Sequence, residues 1–297
     1  MPGEATSSEE HHYVAPAMPL PGVSQSEYTF AVSPGSVDTS TADEAADAVD
    51  RLGLCIVRGL VSKELSVNAR AEALHTFTEL NGELKARGKS IGDGTRGGFA
   101  EIVRRSKGRF EMPYKMDQGI FAKREFTNNT WIQRFVSKVI GPEYKFQYQR
   151  LLVSFPEAEG MHWHQDGRHL SSARHLRAHA MNIFVALGDI TEDMGPTELR
   201  PASHFLTRQL AKMMLMAKFQ KKLHAPVKPT LRSGDALIFD YRTLHCGTPN
   251  LSTTPRVMLE LVYVRSGFTD IINFPKRSIF ELEEVVESHE EKQKQKE

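Results

Sequence analysis

Hydrophobic and polar positions follow a helical period in the first half of the chain and a strand-like period in the second. Helices are predicted over residues 41–51, 62–87 and 128–139, with one short β-branched strand over 54–60. Ser62 stands where it can cap the second helix, and Gly141 follows the third helix and is expected to end it. The first half therefore supplies mainly helices.

From Tyr144 onward, β-branched and aromatic residues alternate with turns rich in Gly, Pro and Asp. Strands are predicted over residues 144–155, 179–187, 236–241 and 256–264. One methionine-rich stretch at helical spacing, residues 205–222, interrupts them and predicts a helix packed on the sheet. Helices followed by a run of strands indicate an α+β domain built on an antiparallel sandwich or barrel.

Composition divides the chain into a domain and two tails. Residues 1–40 lack a sustained period and predict a flexible N-terminal tail, and residues 281–297 predict a charged C-terminal tail. Between them, residues 41–280 form one expected domain with its strand core over about 144–265. Residues 88–119 mix glycines with arginines and are expected to form a long loop, of a kind that is usually functional or disordered.

The overall charge argues against two classes of partner. The 297 residues include 38 Lys and Arg against 37 Asp and Glu, so no global charge favours nucleic acid or an acidic membrane surface. No apolar run reaches the length of a membrane span, and the N-terminus does not resemble a secretory signal. Cys55 and Cys246 provide no disulfide framework. We expect a cytosolic protein that acts on a small molecule.

Candidate chemistry is concentrated around His164 and Asp166. In an extended segment, side chains two positions apart point to the same side, so these two can converge on one metal ion. Iron(II) oxygenases hold their metal with two imidazoles and one carboxylate on one face. His-x-Asp supplies two of these ligands, and a second His must come from a distant strand.

His245 is the candidate for that second imidazole. It follows the apolar strand predicted over 236–241 and precedes a Gly-Thr-Pro turn, where a functional side chain is easily presented. The next strand begins near Arg256, which can face the same interior if the two strands pair. A buried Arg requires a carboxylate partner, and the distal carboxylate of 2-oxoglutarate would meet that need.

His162 leaves a second metal site open, because His162 and His164 could bind together in the manner of a cupin. A cupin, however, is expected to place a carboxylate three or four positions after the second His, where this chain has Gly167 and Arg168. His162 is therefore interpreted as a residue near the substrate. Trp163 is more often a packing residue, but its place beside the metal motif makes it a candidate substrate contact.

These elements together resemble the phytanoyl-CoA dioxygenase-like family of iron(II)/2-oxoglutarate oxygenases. The resemblance covers about residues 54–264 and rests on His164-Gln165-Asp166, on segments 182–191 and 195–204, and on Gly234-Asp235 leading to His245 and Arg256. It departs from the family at Ala202, in place of a usual Gly, and at Gly247, where some relatives carry a hydroxyl. Asp166 stands where halogenating relatives have a small residue, which disfavours halogenation.

The resemblance implies a double-stranded β-helix core, jelly-roll or cupin-like, with flanking N-terminal helices. It implies iron(II) on His164, Asp166 and His245, with 2-oxoglutarate and O2 as co-substrates and Arg256 on the 2-oxoglutarate carboxylate. By matched position, contacts with 2-oxoglutarate are also implied for Gln149, Asn182 and Thr248.

The expected activity is oxidation of a small metabolite by hydroxylation, desaturation or oxidative ring closure, with release of succinate and CO2. The 88–119 loop stands where this family builds its substrate lid, and it carries Arg96, Arg104 and Arg105 as well as Arg109, which adjoins apolar residues. We therefore expect a carboxylate-bearing metabolite, either amino-acid-derived or of specialised metabolism. Two alternatives remain open. One is a non-catalytic binding or regulatory member of the same fold, and the other is a cupin-type metal enzyme that does not use 2-oxoglutarate.

Overall fold

The computed structural model describes residues 22–34, 38–207, 224–270 and 274–282. Most of the predicted tails and of the predicted helix over 205–222 lies outside these residues. Within the described part, helices and strands occur in the order expected of the α+β class. None of the described helices is long and apolar enough to cross a bilayer.

Helices precede most of the strands, as the hydrophobic pattern predicted. The α-helices of the described residues are α1 (Ser40–Leu52), α2 (Lys63–Ala86), α3 (Gly94–Gly97), α4 (Arg124–Thr127) and α5 (Thr130–Ile140). Helix α2 begins where the Ser62 hydroxyl accepts the Leu65 N–H, and α5 begins where the Asn129 side chain accepts the Ile132 N–H. These caps satisfy N–H groups that the first helical turn leaves without a partner.

The strands form one large sheet and one small sheet. They are β1 (Thr29–Ala31), β2 (Leu54–Arg58), β3 (Val103–Ser106), β4 (Arg109–Met112), β5 (Tyr144–Ser154), β6 (Ala180–Ala186), β7 (Thr197–Leu199), β8 (Ala236–Asp240), β9 (His245–Gly247) and β10 (Arg256–Arg265). The large sheet has the order β1-β2-β8-β6-β10-β5-β4-β3, and β7 pairs with β9 in the small one. All pairs are antiparallel except β1 with β2.

Strand β6 shows how the large sheet is buried on both faces. Met181, Ile183 and Val185 belong to the apolar cluster shared with α1, α2 and α5. Phe184 belongs to a second cluster on the opposite face, towards the small sheet. A cavity lies between the two sheets and is lined from both, for example by Phe184 and Thr197. The helices thus support one face of the large sheet and leave the other to form the site.

Two segments contain more regular structure than the sequence suggested. Part of the expected N-terminal tail forms a 3-10 turn (Gln25–Tyr28) and then β1, which pairs in parallel with β2. The expected 88–119 loop contains the hairpin of β3 and β4, and β4 extends the large sheet by pairing with β5. These strands are short and carry charged residues, so tertiary pairing rather than an apolar run defines them.

The turn before the 3-10 helix Ser203–Phe205 contains one of the departures from the family pattern. Ala202 adopts a left-handed backbone conformation with φ of 57°. Glycine adopts this conformation without steric cost, which accounts for the residue usual in the family, whereas alanine adopts it under mild strain.

Candidate metal centre

The two predicted histidine ligands are held side by side by their own backbones. His164 and His245 form an antiparallel β-bridge in which each N–H donates to the other residue's carbonyl, both at 2.9 Å. Their ring centroids lie 4.3 Å apart. Backbone N–H groups of Asp166 and Gly167 both donate to the Tyr241 carbonyl, at 2.9 and 3.1 Å, which places the carboxylate next to the rings.

The three side chains present one set of metal donors. Their candidate ligand atoms all lie within 4.8 Å of one another, and no other such cluster occurs among the described residues. Nε2 of His164 lies 3.6 Å from Oδ1 of Asp166, and Nε2 of His245 lies 3.5 Å from Oδ2. The structure therefore brings together His164, Asp166 and His245 as the sequence predicted.

The hydrogen bonds of the imidazoles leave the correct nitrogen for a metal. Nδ1 of His164 lies 2.8 Å from the His162 carbonyl, and Nδ1 of His245 lies 2.9 Å from the Thr243 carbonyl. A carbonyl only accepts, so Nδ1–H donates in both rings, which leaves Nε2, the nitrogen next to the Asp166 carboxylate, as the one that a metal ion would bind. Burial also lowers the pKa of His245, which favours the neutral form that binds metal. Two imidazoles and one carboxylate fit an iron(II) ion.

Asn182 supports the carboxylate of this set. It is fully buried in β6, and its Nδ2 donates to Oδ2 of Asp166 at 2.5 Å. Its Oδ1 is buried without a hydrogen-bond partner. The structure thus places Asn182 behind the Asp166 ligand, whereas the resemblance implied a contact with 2-oxoglutarate.

Arg256 and Arg109 form a buried cationic pair in the same cavity. Arg256 donates to the Gly195 carbonyl, and Arg109 donates to the carbonyls of Thr248 and Glu159. Neither guanidinium has an ion pair with a carboxylate of the described residues. Burial lowers the pKa of Arg256 to about 9, with Arg109 contributing, and burial lowers the pKa of Arg109 to about 10. Both nevertheless remain cationic at neutral pH and require an anionic ligand.

Gly247 makes room for this pair. A Cβ atom at that position would lie 2.8 Å from Nη1 of Arg109. The missing side chain, which was a departure from the family pattern, therefore allows the Arg109 guanidinium to lie beside β9. Arg109, predicted as a substrate contact, thus lies at the Arg256 end of the cavity. The Thr248 hydroxyl, predicted to contact 2-oxoglutarate, donates to the Pro196 carbonyl at 2.7 Å.

Three other candidates do not line the cavity as the structure describes it. Gln149 is buried on the helix-facing side of β5, where its amide donates to the carbonyls of Met116 and Phe121, so its geometry does not match a contact with 2-oxoglutarate. The guanidinium of Arg200 lies 5.0 Å from the ring centroid of Trp163. His162 is exposed, and only its carbonyl contacts the site.

Four charged residues on the cavity wall, which we call the charge ladder, are Arg105, Glu111, Arg150 and Glu260. Of these four, the sequence analysis named only Arg105, as one arginine of the 88–119 loop. Arg105 and Arg150 contact the same Glu111 oxygen at 2.7 and 2.9 Å, and Arg150 grips Glu260 through two nitrogens. One feature of the sequence could have indicated this cluster. Glu260 is a charged residue inside the otherwise apolar run of β10, and a charge in such a position usually has a partner.

Charged contacts within the ladder keep Arg150 cationic and partly oppose the effect of burial on Glu260. Burial acts to lower the pKa of Arg150, but contacts with Glu260 and Glu111 outweigh it and raise that pKa well above the usual value. Burial raises the pKa of Glu260 to about 7, with Arg150 opposing the rise. Above about pH 7, Glu260 is ionised, and its two hydrogen bonds from the Arg150 guanidinium stabilise that form.

Comparison with known proteins gives a family and a fold. The profile of the phytanoyl-CoA dioxygenase (PhyH) family matches residues 49–258. The non-heme alpha-ketoglutarate-dependent epimerase SnoN of nogalamycin biosynthesis superimposes with a TM-score of 0.59 and 18% identity, over 77% of this chain and 82% of its own. The carbocyclase SnoK gives 0.55 and 19%, over 85% and 94%. HygX from Streptomyces hygroscopicus, with nickel and 2-oxoglutarate bound, gives 0.51 and 14%, over 75% and 86%.

Proposed function

The chain belongs to the phytanoyl-CoA dioxygenase family, and we propose that it oxidises a small, carboxylate-bearing metabolite. Membership makes it an iron(II)- and 2-oxoglutarate-dependent oxidoreductase. The observation that carries the proposal is the combination, in one cavity, of a complete ligand set with two buried arginines. The ligand set suits iron, and the arginines suit the far carboxylate of 2-oxoglutarate.

The residues present fit both groups. His164, Asp166 and His245 would hold iron(II), since each offers a donor atom towards one point. Arg256 and Arg109 would bind the distal carboxylate of 2-oxoglutarate, because that carboxylate supplies the anion that their burial requires. When bound, iron(II), 2-oxoglutarate and O2 supply the oxidising chemistry, and the co-substrate leaves as succinate and CO2.

The protein's own contribution is orientation and exclusion of water. Nδ1–H bonds fix the two imidazole rings, and Asn182 fixes the Asp166 carboxylate, so the ligand geometry does not depend on substrate. Phe110 and Phe184 add apolar surface to the cavity wall, which keeps the reacting C–H bond away from bulk water. The position of that bond relative to the metal decides between hydroxylation, desaturation and ring closure.

The substrate part of the proposal rests on the cavity wall. The guanidinium groups of Arg105 and Arg150 reach this wall, where they can donate to a substrate carboxylate. Arg104, by contrast, pairs with Asp93 at 2.6 Å on the surface. Among the arginines of the predicted loop, Arg105 is therefore our candidate for binding the substrate carboxylate.

The decisive experiment is reconstitution under anaerobic conditions with iron(II), followed by O2 and 2-oxoglutarate. We expect succinate formation that depends on added iron and is lost in Asp166→Ala, while the exposed Asp117→Ala control keeps it. Iron binding without any use of 2-oxoglutarate would instead support a cupin-type enzyme. Absence of both iron and 2-oxoglutarate binding would support a non-catalytic module.

A further inference from the structure

The charge ladder carries two positive and two negative side chains, Arg105 and Arg150 against Glu111 and Glu260. The charges alternate along the contacts, so the ladder has no net charge. Side chains of Arg105, Glu111 and Arg150 remain 16%, 14% and 16% exposed, whereas that of Glu260 is 2% exposed. A ligand in the cavity can therefore reach both signs of charge.

An aromatic ring fixes the orientation of the two guanidinium groups. Phe274 lies 5.0 Å from the Arg105 guanidinium and 5.5 Å from that of Arg150. Stacking of this kind restricts both cations, so the positions of the ladder's donors are set before a ligand arrives. Such pre-organisation is a property of binding sites rather than of solvated surface charge.

A ladder without net charge does not stabilise a bound ligand that carries only a negative charge. The carboxylate would be attracted by Arg105 and Arg150 but repelled by Glu111 and Glu260, and it would lose its hydration on entering the cavity. The positive end of the cavity, at Arg256 and Arg109, is assigned above to the co-substrate. A substrate carboxylate therefore needs a compensating cation on the same molecule.

We propose that the charge ladder is the substrate-binding wall and that the substrate is a small zwitterion with an ammonium group as well as a carboxylate. This inference rests on the proposed function, which supplies the carboxylate. The carboxylate would accept from Arg105, and the ammonium group would donate to Glu111. Apolar side chains of Leu152 and Met258 line the same cavity and would contact the hydrocarbon part.

The test measures binding to protein loaded with manganese(II), anaerobically and at pH 8, where Glu260 is ionised. The probes are alkyl amino acids, their N-acetyl derivatives, which keep only the anion, and the corresponding alkyl amines, which keep only the cation. We expect the free amino acids to bind about tenfold or more tightly than either analogue, as loss of a charged hydrogen bond implies. Stronger binding of an analogue, or no binding by any probe, overturns the proposal.

Charge variants of the ladder should change this preference in opposite directions. Glu111→Gln makes the ladder positive and should shift selectivity towards the N-acetyl derivatives by about tenfold, whereas Arg105→Gln should shift it towards the amines. The matched control is Arg104→Gln, which removes a surface arginine and should change nothing. Thermal melting checks folding, and either ladder variant suffices if the other does not fold. Unchanged selectivity in a folded ladder variant overturns the proposal.

Titration with 2-oxoglutarate separates this inference from the function on which it rests. If the manganese-loaded protein binds 2-oxoglutarate but shows no preference for zwitterions, only the ladder proposal is wrong. If it binds zwitterions but not 2-oxoglutarate, the proposed function is wrong and the ladder remains a zwitterion site.

Discussion

Removal of the Asn182 side-chain donor is the most direct probe of how the ligand carboxylate is positioned. Asn182→Leu keeps the number and branching of the side-chain heavy atoms in β6 but cannot donate to Oδ2 of Asp166, which accepts a 2.5 Å bond from Asn182 in the structure. The substitution also removes a buried Oδ1 that has no partner, so the fold should tolerate it. Asn182→Ala, in addition, would leave a cavity behind the ligand.

The expected loss follows from the nature of this bond. An amide donating to an ionised carboxylate contributes about 1.5–3 kcal/mol, and partners of metal ligands typically change metal affinity by about 10- to 100-fold. We expect Asn182→Leu to weaken manganese(II) binding within that range in isothermal titration calorimetry. The site should also consume 2-oxoglutarate with less product formed per succinate, because Asp166 is less well oriented.

A second asparagine provides the control. Asn129 caps α5 far from the ligands, and Asn129→Ala should cost about 0.5–2 kcal/mol of unfolding free energy while leaving metal affinity unchanged. If the Kd of Asn182→Leu for manganese stays within about twofold of that of the unmodified protein, the Asn182–Asp166 bond contributes less than a charged hydrogen bond normally does. The positioning role of Asn182 would then be refuted.

Three further expectations concern the rest of the site and the fold. Arg256→Lys keeps the positive charge but loses the planar guanidinium, so the Kd for 2-oxoglutarate, measured by calorimetry, should rise by an amount that corresponds to about 1.5–3 kcal/mol of binding free energy. The affinity for manganese should stay constant, and an unchanged Kd for 2-oxoglutarate would contradict the proposed contact of Arg256 with its carboxylate. Gly247→Ala should also raise that Kd, because the new Cβ would lie 2.8 Å from Nη1 of Arg109, and a normal Kd would show that the guanidinium moves aside freely. Burial lowers the pKa of His179 and of His204 to about 4, so the folded state favours neutral rings. Their contribution to the free energy of unfolding should be fully present above about pH 6.5 and should be lost as the pH falls from there to about 4. Urea unfolding across that range tests this, and a constant midpoint would contradict it.

Strong local patterns made the ligand set predictable. His164 and Asp166 stand two apart in an extended segment, which turns their side chains to one side, and His245 follows a buried strand just before a turn. The family resemblance then joined the three residues as one ligand set. The two long helices α2 and α5 were also predictable, because their capping residues and their helical spacing of apolar residues indicate the same bounds. The helices required no knowledge of how the sheets pack, whereas the meeting of His245 with His164 depends on the β-bridge between them.

Strand β5 shows where sequence reasoning fails. Apolar residues occupy both faces of β5, so its pattern does not reveal which face meets the helices and which meets the cavity. Gln149 and Arg150 are neighbours, and the family likeness favoured Gln149 for the site. Pairing with β10 instead turns Arg150 towards Glu260 and the cavity, and Gln149 towards the helices. A shift by one residue reverses that assignment.

The hairpin of β3 and β4 was hidden for a different reason. Its strands are short, and Arg105 and Glu111 interrupt the alternation that marks a half-buried strand. Those charges are tolerated because they neutralise each other and Arg150 across neighbouring strands. Such compensation is visible only once the strands are paired.

The β-bridge between His164 and His245 determines when the metal can enter. These residues are distant in sequence, and their mutual N–H to carbonyl bonds form only after the two halves of the jelly roll have come together. Loading of iron therefore follows folding, in contrast to zinc fingers, which are unfolded without their metal. Chelators should strip the ion and leave the tertiary structure intact, so one purified sample can be emptied and refilled with different metals.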